Sequence, residues 1–189
     1  MLLVTIGIVV AVFLGLIALD RADLLTEGSA SGTSSMAPTL PPCNGRTIAE
    51  GFTYRTRDPH RGEIVVFHAR GHIGGSITPD PNSRELAVNK RVIGVPGDTV
   101  SGHDRRVFVN GTKADDIVTD DGFPPVHLKP DQYFLLGDNR SYSQDSRVFG
   151  PVDREAIFAR VVLIYWPFGR FGVPLYNKTG TPPGPACGT

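Results

Sequence analysis

The chain opens on an apolar run at residues 2–19, interrupted only by Thr5 and small glycines. As an α-helix these 18 residues would be about 27 Å long, barely enough to cross one bilayer. A cleaved signal peptide would need a basic stretch before the run and a small-residue cleavage site after it. Here no Lys or Arg precedes the run, and Ala-Leu-Asp-Arg-Ala at 18–22 makes a poor cleavage site. Residues 1–20 are therefore read as an uncleaved transmembrane anchor, and the polar, small residues of 21–31 as a connector that keeps the next segment near the membrane surface. Charge alone orients the anchor weakly: Arg21 lies on the downstream side, which the positive-inside rule would assign to the cytoplasm.

The constraint on residues 32–179 is different. With 22 Gly and 16 Pro in 189 residues, the chain turns often, and its apolar runs are short and rich in Val, Ile and Phe. A mostly β domain is expected over a helix bundle. Strands are predicted at 64–67 after a turn at 61–63, at 86–95 before the Pro96-Gly97-Asp98 turn, at 132–136 and at 161–165. Residues 106–114 read as a hairpin, because Asn110-Gly111 supplies the positive φ angles of a type I′ turn. That role also accounts for Asn110 in its Asn-Gly-Thr sequon, and Asn177-Lys-Thr is discounted with it. Residues 69–81, rich in Gly, Pro, Ser and Thr, suggest an exposed excursion, and residues 180–189 a disordered tail. The run at 161–165 ends at Trp166-Pro167-Phe168 and is far too short for a second span.

Several function classes are set aside by composition. The 19 basic residues are spread along the chain and balanced by 19 acids, without the basic stripe of a nucleic-acid binder. His60, His68, His72, His103 and His127 never adopt the paired spacing of a zinc helix, so neither metal nor cofactor is expected. Cys43 and Cys187 could pair outside the membrane, and the sequence leaves that open.

Two stretches fit neither core nor turn. At 33–40, Thr-Ser-Ser-Met-Ala-Pro-Thr-Leu forms neither an amphipathic helix nor an alternating strand, since Pro38 removes a donor and biases Ala37 toward extended backbone. A serine fixed in such a loop becomes a nucleophile only if a base takes its proton. Lys90, in the middle of an apolar strand, is the candidate base, although a lone strand lysine more often faces solvent from a sheet edge. At 137–147, Gly-Asp-Asn-Arg-Ser-Tyr-Ser-Gln-Asp-Ser-Arg follows a buried strand directly. It reads either as a solvated loop or as an internally bonded platform in which Asp145 and Arg147 pair and hold Ser143.

Taken together these segments resemble the type I signal peptidases, membrane-bound serine proteases that remove signal peptides from exported proteins. Four blocks stand in the family's order: Ser-Met-x-Pro-Thr-Leu at 35–40, Arg-Gly-Glu-Ile-Val-Val-Phe at 61–67, Lys-Arg-Val-Ile-Gly-Val-Pro-Gly-Asp at 90–98, and Gly-Asp-Asn-Arg-x-x-Ser-x-Asp-Ser-Arg at 137–147. The resemblance implies Ser35 as nucleophile, Lys90 as general base, Ser143 as the group that orients the amine, and Asp145 with Arg147 as the pair behind it. It also implies a catalytic domain on the outer face of the membrane, overriding the charge argument, and substrates with small residues, usually alanine, at the first and third positions before the cut. Substrate would lie beside Met36, Val88 and Asn89. Thr33 stands where many members carry serine or glycine and Ser34 where glycine is common, so the expected oxyanion donors depart from the pattern. Glu63 replaces the commoner aspartate.

A lysine with an ordinary pKa of about 10.4 is almost entirely protonated at pH 7. Lys90 can act as a base only if burial among residues such as Val88, Val92 and Ile93 lowers that value to about 8. Two rival classes are weaker. A self-cleaving repressor would need a DNA-binding domain in place of the anchor, and a binding protein that had lost activity would not need Ser35, Lys90 and Ser143 together. Penicillin-binding chemistry is excluded because no Ser-x-x-Lys occurs.

Overall fold

The structure is a computed structural model, and it describes residues 5, 7, 8, 10, 11, 25–29, 34–42, 45–71, 77–83, 86–119 and 122–174. Among these residues twelve strands form two sheets: β1 Leu25–Ser29, β2 Arg46–Glu50, β3 Ile64–Gly71, β4 Ile77–Pro79, β5 Leu86–Gly94, β6 Thr99–His103, β7 Arg106–Val109, β8 Thr112–Lys113, β9 Phe123–His127, β10 Gln132–Leu136, β11 Val152–Asp153 and β12 Ile157–Trp166. The eight-stranded sheet runs β1-β2-β12-β3-β5-β10-β11, with β4 on the end of β3. The four-stranded sheet runs β8-β7-β6-β9, and the paired strands of both sheets are antiparallel.

Alternation along β3 explains why its apolar run is continuous, since neighbouring side chains point to opposite faces and both faces are covered. Ile64 and Val66 pack with Met36, Leu40, Ala49, Ala159, Val161 and Ile164. Val65, Phe67 and Ala69 pack on the other side with Tyr54, Val92, Tyr133, Leu135 and Ile157. A third cluster joins the two sheets: Ile93, Phe134 and Leu136 of the large one meet Val100, Val107, Val109 and Leu128. The Ser35 loop is thus stapled to one face of the large sheet by Met36 and Leu40.

The predicted strands at 64–67, 86–95 and 132–136 correspond to β3, β5 and β10. The hairpin is present as β7–β8, with Asn110 at φ 50° and Gly111 at φ 76°. Other boundaries differ. The final strand is ten residues rather than five, because Arg160 interrupts the apolar pattern yet is paired with Glu50 and Glu63 rather than ending the strand. Within the segment read as an excursion, β3 continues to Gly71 and β4 pairs back on it, so its ends are a hairpin. The connector segment contributes β1, whose backbone pairs with β2 through five residue positions, a pairing that needs no apolar side chains. β2, β6 and β9 had no sequence reading. Of the apolar segment at 2–19, Thr5, Gly7, Ile8, Val10 and Ala11 are helical and the remainder lies outside the described residues, as do Thr33, Cys43, Cys187 and the tail at 180–189. Among the described residues no helix is long and apolar enough to cross a membrane.

Candidate active site

β5 delivers Lys90 and Arg91 to opposite sides of the large sheet, as consecutive strand residues must be. The Lys90 Nζ donates to Ser35 Oγ at 2.8 Å, and the two residues are 2% and 5% exposed. Burial pulls the Lys90 amine down to about 8; the Asp145 and Asp138 carboxylates push the other way, and Arg147 adds to the lowering. Desolvation wins over two nearby anions. The result is an amine that is partly neutral near pH 8, touching a hydroxyl.

Ser35 lies in a turn at residues 35–39, closed by Ala37 N–H to the Ser34 carbonyl at 3.1 Å and Leu40 N–H to the Met36 carbonyl at 2.9 Å. The Asn139 backbone N–H donates to the Ser35 carbonyl at 3.0 Å, while its Nδ2 donates to the Ser34 carbonyl at 3.0 Å. These two bonds tie the nucleophile loop to the segment after β10.

That segment is an internally bonded platform. Asp145 is fully buried; it accepts from the Gly137 N–H at 3.0 Å and takes both Arg147 Nε, at 2.8 Å, and Arg147 Nη2, at 2.9 Å. Arg147 also donates to the Arg140 carbonyl at 2.6 Å, the Ser143 carbonyl at 3.3 Å and Thr119 Oγ1 at 2.9 Å. Ser143 itself is brought beside Ser35 rather than onto Lys90. Its Oγ is buried against Gly137 and has no hydrogen-bond partner among the described residues. A Cβ on Gly137 would fall 2.2 Å from Ser143 Oγ and 2.5 Å from the Ser35 carbonyl oxygen, so only glycine lets these two serines approach here.

The sequence assigned no role to Arg91, Asp138, Asn139 and Arg140. Arg91 on β5 meets Asp138 in a two-pronged buried pair at 2.7 and 2.6 Å and holds the Gly62 carbonyl at 2.5 Å. Their signal was adjacency: Arg91 follows Lys90, and the other three lie between Gly137 and Ser143. Asp115 and Thr119, which receive bonds from Arg140 and Arg147, carried no signal at all.

Val88 and Asn89 are half-buried on β5, paired with Phe67 and Val66 of β3. On its other side β10 pairs only with Arg91, Val92 and Gly94. Among the described residues, the edge of β5 from Leu86 to Lys90 therefore has no strand beside it on that side. Met36 is buried in the loop, next to Ser35. A separate cleft of about 500 Å³ between Arg61–Glu63, β5 and the β7–β8 hairpin contains neither Ser35 nor Lys90, and its charges are already paired: Arg61 with Asp98, Glu63 with Arg57, Lys113 with Asp116.

Residues 3–166 match the family model described as "Signal peptidase, peptidase S26". A probable signal peptidase I-2 of Synechocystis sp. is 38% identical over 162 residues, covering 84% of this chain and 71% of that protein. A signal peptidase I of Leptolyngbya laminosa is 34% identical over 183 residues, covering 95% of this chain and 83% of that protein. Signal peptidase IB of Staphylococcus aureus is 34% identical over 160 residues, covering 72% and 76% respectively.

Proposed function

Because this chain belongs to the signal peptidase family, peptidase S26, we propose that it is a membrane-anchored serine endopeptidase that uses Ser35 and Lys90 to cut signal peptides from exported preproteins after small-x-small sequences. The observation that carries the dyad is the buried 2.8 Å hydrogen bond between Lys90 Nζ and Ser35 Oγ. The neutral Lys90 amine takes the Ser35 proton as Ser35 Oγ attacks the carbonyl carbon before the scissile bond. The lysine, now an ammonium, protonates the departing amine, and an acyl-enzyme ester remains on Ser35. A water molecule, deprotonated by the same amine, then attacks the ester and releases the signal peptide's new C-terminus.

Substrate adds as an extended strand along the open edge of β5 at Leu86–Lys90, so its alternate side chains enter shallow sites near Val88, Asn89 and Met36. Small residues at the first and third positions before the cut suit that arrangement. Ser143 receives a hydrogen bond from the Lys90 ammonium when the base is loaded, which its partnerless buried hydroxyl favours. Asp145 and Arg147 keep Ser143 in reach. The Thr33 hydroxyl supplies the second donor to the oxyanion, beside the Ser35 N–H. Residues 1–20 anchor the chain in the lipid bilayer once, with the β domain on the outer face of the cell membrane.

The test incubates the detergent-solubilised full chain with a peptide bearing an Ala-x-Ala signal-peptide junction. Cleavage at that junction is expected, lost in Ser35→Ala and in Lys90→Met proteins that remain folded. Unchanged cleavage by Lys90→Met would remove the lysine from the mechanism.

A further inference from the structure

The platform that carries Ser143 is not held by its own bonds alone. Two of its arginines reach out of it to a single segment that follows the small sheet's β8. Arg140 Nη2 donates to Asp115 Oδ2 at 2.6 Å, with both side chains almost fully buried, and Arg147 Nη1 donates to Thr119 Oγ1 at 2.9 Å. Asp115 and Thr119 come after β8, and that segment is pinned in turn. Ala114 N–H bonds the Val107 carbonyl at 2.9 Å, Ile117 N–H the Asp115 carboxylate at 3.0 Å, and Thr119 N–H the Arg105 carbonyl at 3.1 Å.

Both arginines also bond the platform itself, next to the residues that border Ser35. Arg140 Nε donates to the Gly137 carbonyl at 3.0 Å, and one residue before Arg140 the Asn139 N–H holds the Ser35 carbonyl. Arg147 holds Asp145 and the Ser143 carbonyl. A buried ion pair is weak as a source of stability, because desolvation offsets most of its attraction, but its directional bonds fix the relative position of the groups they join. Removing the Asp115 charge leaves the buried Arg140 guanidinium without its carboxylate, and with Nη1 lacking a partner among the described residues this favours its moving outward and releasing Gly137.

We infer that Asp115 and Thr119 are positioning residues for the Ser35–Lys90 pair, acting through Arg140 and Arg147, so that the small sheet sets the geometry of the catalytic platform. For its catalytic consequence this rests on the peptidase reading above. Its structural consequence does not.

The test compares the full-length parent with Asp115→Asn, Thr119→Val and Thr119→Ser, using steady-state cleavage of the Ala-x-Ala peptide and amide hydrogen exchange. Asp115→Asn should lower kcat at least tenfold with KM within twofold. It should also speed exchange at the Gly137 and Asn139 amides at least tenfold while leaving the β6–β7 amides unchanged. Thr119→Val should lower kcat at least threefold, and Thr119→Ser should restore it. The inference is overturned if Asp115→Asn leaves both amides and kcat within twofold of the parent, or if exchange rises equally throughout the small sheet. Should Asp115→Asn fail to fold, the threonine pair decides, and equal kcat for Val and Ser at position 119 overturns it. A parent that cleaves nothing would sink the peptidase reading, and the exchange data would still decide this one.

Discussion

Lys90 and Ser35 share one hydrogen bond in a site where a third group, the Ser143 hydroxyl, is buried beside Ser35 without a partner among the described residues. Since the Lys90 amine sits at about 8 rather than 10.5, its basic form grows as pH rises toward and beyond 8. The rate constant kcat/KM should climb about tenfold per pH unit below that value and level off above it. A pH–rate profile flat between pH 6 and 9 would separate Lys90 from the proton transfer.

The same depressed value makes Lys90 a burden on the fold. Between about 8 and 10.5 the unfolded lysine holds a proton that the folded one has lost, so stability rises with pH across that window. Below it the penalty is complete, on the order of 3 kcal/mol at 1.36 kcal/mol per pKa unit. Lys90→Met should therefore be inactive but more stable at pH 7, by about 1–3 kcal/mol once the lost Ser35 bond is counted. Denaturant midpoints at pH 7 and pH 10 check this, with the gain expected to shrink at the higher pH.

Asp145 and Arg147 act on Lys90 in opposite directions, the carboxylate raising its pKa and the guanidinium lowering it. Asp145→Asn should move the acid limb of the rate profile to lower pH, and Arg147→Met should move it higher, each by roughly half a unit or more. Both lose stability by breaking a buried pair, so the profiles are compared at temperatures where each protein is folded. Shifts of the same sign would mean that the pair influences the lysine only by holding shape.

Gly137→Ala tests the close approach of the two serines. The added methyl would meet Ser143 Oγ and, less forgivingly, the Ser35 backbone oxygen. Overpacking of this kind costs roughly 1–3 kcal/mol, and here the displaced groups belong to the site. A loss of kcat of at least tenfold is expected in protein that still unfolds cooperatively. Parental kcat in that variant would show that the serines have room to spare.

Thr33 precedes the nucleophile by two residues and lies outside the described residues. If its hydroxyl donates to the oxyanion, Thr33→Val should lower kcat by roughly a hundredfold with little change in KM, and Thr33→Ser should keep most activity. Kinetics of Thr33→Val within threefold of the parent would assign the second donor elsewhere.

Strands whose both faces are covered announced themselves in the sequence. β3 and β10 carry unbroken apolar runs at 64–67 and 133–136 because each buries side chains on either side, β5 shows itself through Val92 and Ile93 in spite of Asn89, Lys90 and Arg91, and the Asn110-Gly111 turn needs backbone angles that few other pairs adopt readily. β9 hid behind Pro124 and Pro125, and β12 behind Arg160, whose charge reads as an ending until Glu50 and Glu63 are seen across from it. In the site, Ser35 and Lys90 stood out as polar residues in unsuitable surroundings. Asp115 and Thr119 did not, because a buried acid and a buried threonine in a loop look like surface residues until their arginines arrive from 25 and 28 positions away.

The order of strands has a bearing on when the protein can act during its own synthesis. β2, next in the chain after the Ser35 loop, reaches β3 and β5 only through β12, the last of the described strands to leave the ribosome. Such distant pairings close late, after the local hairpins β3–β4 and β6–β7 have formed. A nascent chain therefore carries Lys90 before Ala159, Val161 and Ile164 of β12 exist to complete the packing around Met36 and Leu40 of the Ser35 loop.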